Sequence, residues 1–370
     1  MKKLILSATL LVSVASFAQK EELKTLKKIY AKHTIVEKDL AAYKEASDAL
    51  QNLATEESDK VYAKFYKTMY PTVVMASKGN KATLQDQMSL YNPDFIKEYG
   101  ATIDETIEFE KKSGKKIYTD ELIAEKADFK QGLTGFATTL NSAKNYKEAA
   151  MAYYSLYRFD TKNEGNSLHN AAILAIQSKD YKLSEKLFEE FYNSDHLNNG
   201  VYYYAINKAS GVEENLGNRE NRTKYIGMGL YEKPRDEKVS KLKPEILKNL
   251  TILYTQNGEM AKAKEMFVEA KKLLPNDEEL KSAEFNLYYN EGYAALSGEA
   301  KLVDAINEAS EKREDKKFDA LMIERKQMFQ KALPSFEKAY ELNPNDESTK
   351  KILKIAYEML GQTEKAKTIK

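Results

Sequence analysis

The stretch Pro244–Asn276, PEILKNLTILYTQNGEMAKAKEMFVEAKKLLPN, decides the fold. Leu247, Leu250, Thr251 and Tyr254 recur at steps of three and four, the spacing of one helix face. Gly258 ends that helix, because glycine enters the left-handed conformation of a helix C-terminus without steric cost. Ala263, Phe267 and Ala270 mark the face of a second helix, and Pro275 closes it. Small residues at 263 and 270 let two antiparallel helices approach, while Leu250, Tyr254 and Phe267 fill the space between them. In this register Ala270 sits at the helix crossing and Lys271 faces water.

The same frame recurs along the chain. One unit has Leu133, Phe136, Ala137 and Leu140, then Ala149, Tyr153 and Leu156. The next has Leu168, Ala171, Ala172 and Ala175, then Ser184, Phe188 and Phe191. A degenerate third has Ile206 and Ala209, a turn at Gly217, then Ile226, Gly229 and Pro234. Further on, Ala332, Phe336, Ala339 and Pro344 make a second helix, and Leu353, Tyr357, Gly361 and Ala366 a last unit. This order of large apolar, Leu, Tyr, Gly turn, Ala, aromatic, Ala and Pro resembles the tetratricopeptide repeat. The anchor slot of Ala149 recurs at Ser184, Arg222, Ala263, Ala332 and Ala366, in steps of 35, 38, 41, 69 and 34 residues. The family period is about 34. The long step reads as one repeat carrying an insertion: a helix over 277–296, a polar inserted arm over about 298–317, and a helix from Phe318 kinked at Pro334. The expected fold is all-α, a right-handed superhelical solenoid of antiparallel helix pairs occupying 116–370. Residues 19–115 read as a helical region with degenerate repeats, in which Pro71 interrupts a helix begun by Val61, Phe65 and Met69.

Residues 1–18 have the layout of a secretory signal peptide. Lys2 and Lys3 precede a short apolar run, and Ser16 and Ala18 supply small residues before a cut at Gln19. The run is shorter than the roughly 20 apolar residues of a membrane span, and no later stretch is long enough. The chain is therefore expected to be exported, to a Gram-negative periplasm first and alternatively beyond the cell. Formal net charge is +1 and falls to −1 once Lys2 and Lys3 are removed. That balance gives no electrostatic footprint for nucleic acid. Cysteine is absent, so disulfides, thiolate nucleophiles and a cysteine-linked lipid are excluded.

Catalytic, cofactor and metal sites are not expected. His33, His169 and His196 lie far apart in sequence. Paired acids such as Glu189-Glu190 diverge on a helix and share no site. The 25 tyrosines suit packing first, and recognition second, because each offers a large ring with a polar tip. The resemblance implies a protein-binding scaffold whose inner face is lined by fixed positions on each first helix. Those positions are His169, Ile173, Ile176 and Gln177, then Tyr204, Asn207 and Glu214, then Lys248, Ile252, Thr255 and Gln256. The expected partner is another envelope or secreted protein. The alternative is capture of a small molecule or glycan in a tyrosine-lined groove.

Overall fold

The computed structural model describes residues 19–114 and 116–369. The expected signal peptide, 1–18, lies outside the described residues. The chain divides into two compact units, one ending at Leu187 and one beginning at Phe188. Helix dominates both, as the 3–4 periodicity requires.

The first unit starts with α1 (residues 19–30) and α2 (Glu37–Leu53), α3 (Glu57–Lys78), α4 (Leu84–Leu90) and α5 (Pro93–Ser113). There follow α6 (Thr119–Ser142), α7 (Tyr146–Phe159), α8 (Gly165–Gln177) and α9 (Tyr181–Tyr192), within which the division falls. Neighbours pack in sequence: α2 on α3, α3 on α5, α5 and α6 on α7, and α7 on α8. The apolar slots read from the repeat are filled as expected, with Leu133, Ala137, Ala149, Leu168, Ala171 and Ala172 all fully buried. Pro71 does not interrupt α3, which runs through it. The proline lacks one backbone donor, but Phe65, Met69 and Val73 on either side are buried. Burial of that face outweighs the lost intrahelical bond. His33 is exposed in the loop after α1.

Tyrosine organises this unit. Tyr43, Tyr66 and Tyr99 are fully or almost fully buried, and Tyr30, Tyr62, Phe65, Tyr66 and Tyr118 meet mostly edge-to-face. Their hydroxyls are satisfied internally. Tyr30 and Tyr99 donate to the two oxygens of Glu125, each at 2.8 Å. Tyr43 donates to the Tyr66 carbonyl, and the Tyr66 and Tyr118 hydroxyls bond to each other. Glu110, fully buried at the end of α5, accepts from the backbone N–H groups of Ile117, Tyr118 and Thr119 and from the hydroxyls of Thr119 and Tyr62. One carboxylate thus pins the start of α6 to α5. Burial alone would raise its pKa, but the converging donors outweigh it and hold the carboxyl below its ordinary value of 4.5.

The second unit contains α10 (Asp195–Asn199), β1 (Val201–Asn207), β2 (Glu213–Asn215), α11 (Arg219–Gly227) and β3 (Tyr231–Lys238). It continues with α12 (Lys243–Gln256), α13 (Met260–Leu273), α14 (Glu278–Ala295), α15 (Glu299–Glu311), α16 (Asp315–Leu342), α17 (Glu347–Met359) and α18 (Thr363–Thr368). The deciding stretch folds as read. Leu247, Leu250, Thr251, Tyr254, Ala263, Phe267 and Ala270 are all buried, and α12 packs antiparallel on α13. Lys271 is exposed as expected, and its ammonium also lies 2.9 Å from Glu284, a carboxylate only 7% exposed.

The degenerate third repeat is corrected. Residues 201–238 hold a three-stranded antiparallel sheet in the order β2-β1-β3, with α11 packed on β3. Val201, Tyr202, Tyr203, Tyr204 and Ile206 are the residue types that favour strands. The Asn207 side chain accepts from the Ala209 N–H, and Gly211 takes φ +72°, which closes the β1–β2 turn. Arg222, assigned to a small-residue slot, instead donates to the Arg235 carbonyl at 2.9 Å and pairs with Asp236 at 2.6 Å. The outer edge of β3 is blunted by Pro234 and by a bulge with Lys233 at φ +51°.

The stretch expected as a polar arm is also corrected. Leu302, Ile306 and Ala309 of α15 are buried, and α15 packs on α16. Arg325 in the first half of α16 pairs with Glu299 at 2.6 Å. The second half of α16 packs on α14, where Phe336 lies against Gly292. The repeat pair is therefore α14 with the end of α16, and the inserted chain is a helical hairpin. Pro334 lies inside α16, which continues to Leu342.

Helix pairs in both units close with one backbone pattern. Lys144, Lys179, Gly258, Arg313 and Gly361 take φ between +54° and +78°. The next N–H reaches back to the carbonyl five residues earlier, as from Asn145 to Leu140, Asp180 to Ala175, Glu259 to Tyr254, Glu314 to Ala309 and Gln362 to Tyr357. This is the Schellman closure.

Candidate functional site

In each unit the first helices of successive pairs leave a depression on their exposed face. In the first unit it measures about 180 Å³ and is lined by Asn141 of α6, Tyr153 of α7, and Asn170, Ile173, Leu174 and Gln177 of α8. In the second unit it measures about 310 Å³ and is lined by Ile252, Thr255 and Gln256 of α12 and by Ala283, Asn286 and Asn290 of α14. The 3.6-residue period sets both. Leu168, Ala171, Ala172 and Ala175 turn inward, so Asn170, Ile173 and Gln177 turn outward.

The two depressions have the same chemistry. Each joins one isoleucine to three side-chain amides: Ile173 with Asn141, Asn170 and Gln177, and Ile252 with Gln256, Asn286 and Asn290. All six amides are exposed. Among the described residues, none of the six spends its side chain on a hydrogen bond within the protein. A carboxamide offers two donors and an acceptor carbonyl. A row of them matches a peptide backbone, which presents one N–H and one C=O per residue.

Several expected site residues lie elsewhere or are already committed. Tyr204 and Asn207 are on strand β1, not on a first helix. The Arg235 guanidinium stacks on Tyr204 at 4.6 Å, and Asn207 donates to Glu214 at 3.1 Å. Glu214 also accepts from the Tyr231 hydroxyl. These three residues hold the sheet together. Lys248 reaches Glu279 at 3.1 Å and Asp277 at 3.3 Å. Asp277 in turn caps α14 by accepting from the Leu280 N–H. Hydrogen bonding to Glu279, against a smaller opposing effect of burial, raises the Lys248 pKa. This lysine fixes where α14 begins. Thr255 lines the depression, but its hydroxyl donates to the Thr251 carbonyl at 2.9 Å. His169 and Ile176 are half-buried on α8 outside the lining set.

Asn141, Tyr153, Asn170, Asn286 and Asn290 were not expected. Asn286 and Asn290 stand one turn apart on the polar face of α14. That spacing is visible in the sequence once α14 is taken as the first helix of a repeat.

Another depression, about 360 Å³, lies in the first unit, where Tyr70, Val74 and Met75 of α3 face Leu90 of α4. Its rim pair, Lys78 and Asp86, is joined at 2.5 Å. Among the described residues, no group of three or more His, Asp or Glu side chains is placed to hold a metal ion. No helix among them is long and apolar enough to cross a membrane.

No protein-family model matches the chain, and no curated protein matches it. Similar solved structures include the P58(IPK) TPR domain, 17% identical over 94% of this chain and 99% of that one, with a TM-score of 0.19. Another is the APC/C hetero-tetramer Cut9-Hcn1, 14% identical over 86% of this chain and 72% of that one, with a TM-score of 0.20. The tetratricopeptide-like character rests on the chain's own features: antiparallel helix pairs, small residues at the crossings, and a shared turn closure.

Proposed function

We propose that this chain is an exported, non-catalytic docking scaffold of the cell envelope, which holds an extended segment of another protein on the exposed face of its first helices. The observation that supports this most is the pair of amide-lined depressions. Amides that bond to nothing in the fold are available to a ligand backbone, and a partner that satisfies them loses little on leaving water. Ile173 and Ile252 supply apolar contact beside them, which suits a segment with alternating apolar side chains. The signal-peptide layout of residues 1–18 supports the location.

A photo-crosslinking amino acid at Gln256, compared with one at exposed Val268 on α13, tests the reading in cells. The expected outcome is a discrete protein adduct at 256 and none at 268. Adding Asn286→Ala and Asn290→Ala should abolish that adduct without lowering the melting temperature. Equal labelling at both positions would count against docking on this face.

A further inference from the structure

A separate cleft in the first unit has a chemistry that docking of a polypeptide does not use. It measures about 290 Å³ and lies between α1, α3 and the loop before α6. Its floor is tyrosine, yet it is apolar. The Tyr62 hydroxyl is turned to Glu110 and the Tyr66 hydroxyl to Tyr118, so the rings present carbon to the cleft. Leu23 and Ile117 complete the walls, and Ile117 is 42% exposed although it sits over this floor. The rim is cationic. Lys24 and Lys27 stand one turn apart on α1, and the Lys27 ammonium lies 5.9 Å from the Tyr118 ring centroid. Among the described residues Lys27 has no carboxylate partner. Lys24 has only Glu21, at 3.7 Å and on the surface. Two acids also act on Tyr118: Glu121 on α6, and Glu110, whose oxygens are taken up by five donors beneath the floor and so do not reach the two ammonium groups as partners.

We infer that this cleft binds a small amphipathic monocarboxylate, with its acyl or aryl tail against Tyr62, Tyr118 and Ile117 and its carboxylate between Lys24 and Lys27. The volume is at the low end for ligand sites, which suits a tail of a few carbons or one ring. The apolar lining supplies the driving force, and the paired ammonium groups fix the orientation. This inference is independent of the docking reading.

Isothermal titration of the full chain with octanoate, 3-phenylpropanoate and octan-1-ol tests it. Saturation binding by at least one carboxylate is expected, at least tenfold tighter than by the alcohol. Whichever carboxylate binds more tightly identifies the tail. Lys24→Gln with Lys27→Gln should weaken carboxylate binding about tenfold and leave alcohol binding unchanged. Ile117→Glu should abolish both, while Val74→Glu in the α3–α4 depression should alter neither. All these side chains are partly exposed, and an unchanged circular dichroism melt shows that a variant is folded. No binding at millimolar concentration, equal binding of acid and alcohol, or binding indifferent to the Lys24, Lys27 and Ile117 variants would each overturn the assignment.

Discussion

The Tyr254 hydroxyl and the Lys262 ammonium converge on one oxygen of Glu189, at 2.7 and 3.0 Å. The same clasp recurs 103 residues later, where Tyr357 and Lys365 share one oxygen of Glu337 at 2.8 and 3.3 Å. In both, the lysine follows the tyrosine by eight positions and lies over its ring, at 4.9 and 5.3 Å. In both, the glutamate follows a fully buried phenylalanine of an earlier helix, Phe188 of α9 or Phe336 of α16. The clasp ties one repeat to the next through a conformation that only a folded neighbour supplies.

Tyr254→Phe should therefore cost about 1 kcal/mol, below the roughly 1.5–3 kcal/mol of a hydrogen bond to a charged group because this site is part-exposed. Tyr357→Phe should cost about the same. A double-mutant cycle of Tyr254→Phe with Glu189→Gln, read by urea unfolding, should give a coupling of about 0.5–1 kcal/mol. Additive effects would mean that the shared oxygen contributes nothing.

Glu110→Gln should destabilise the first unit by about 1–3 kcal/mol, because it leaves buried donors without an acceptor. The wild-type carboxyl is held below its ordinary 4.5. Its contribution is thus present above that pH and is lost as pH falls through the lower folded value. The gap between the wild-type and Glu110→Gln urea midpoints should be wide at neutral pH and narrow on acidification. A constant gap would contradict the linkage.

Close helix approach predicts a third result. A Cβ at Gly292 would meet the Phe336 ring at 2.7 Å, and that ring is fully buried. Gly292→Ala should cost about 1–3 kcal/mol by overpacking, as should Ala270→Phe at the α12–α13 crossing. Lys271→Ala should also destabilise, by about 1 kcal/mol, since it removes the partner of a largely buried Glu284 carboxylate. Thermal melts of the three variants check the order.

Turn closure predicts a gain. Lys179 holds φ +61° in a turn where Gly258 does the same work at +78°. Lys179→Gly should be neutral to stabilising by up to about 1 kcal/mol, and Gly258→Ala should lose about 1–2 kcal/mol.

The helical fold was legible because Leu250, Tyr254, Ala263 and Phe267 are each buried by a neighbour that repeats their spacing. The sheet was not, because Ile206 and Ala209 happen to satisfy a helical step over too few residues to decide between periods. Arg222 in a slot meant for alanine was the warning in that stretch. The lysines at 144 and 179 hid two turns that glycine would have announced. Of the expected site residues, Ile173, Gln177, Ile252, Thr255 and Gln256 line a depression. Lys248, Tyr204 and Asn207 do not, because whether a polar side chain is free depends on partners such as Glu279 and Arg235 that spacing does not reveal.

The buried phenols of the first unit carry a practical consequence. Burial, with help from Glu125, pushes Tyr30 and Tyr99 far above the ordinary value of 10.0, and burial with the Tyr118 hydroxyl does the same for Tyr66. Their neutral forms stabilise the fold below that value, and the advantage disappears as alkalinity approaches the raised folded values. Because the chain has no tryptophan, phenolate absorbance is unobscured. These rings should ionise only in step with unfolding, so the high-pH part of an alkaline titration becomes an optical gauge of the fold's integrity that needs no added label.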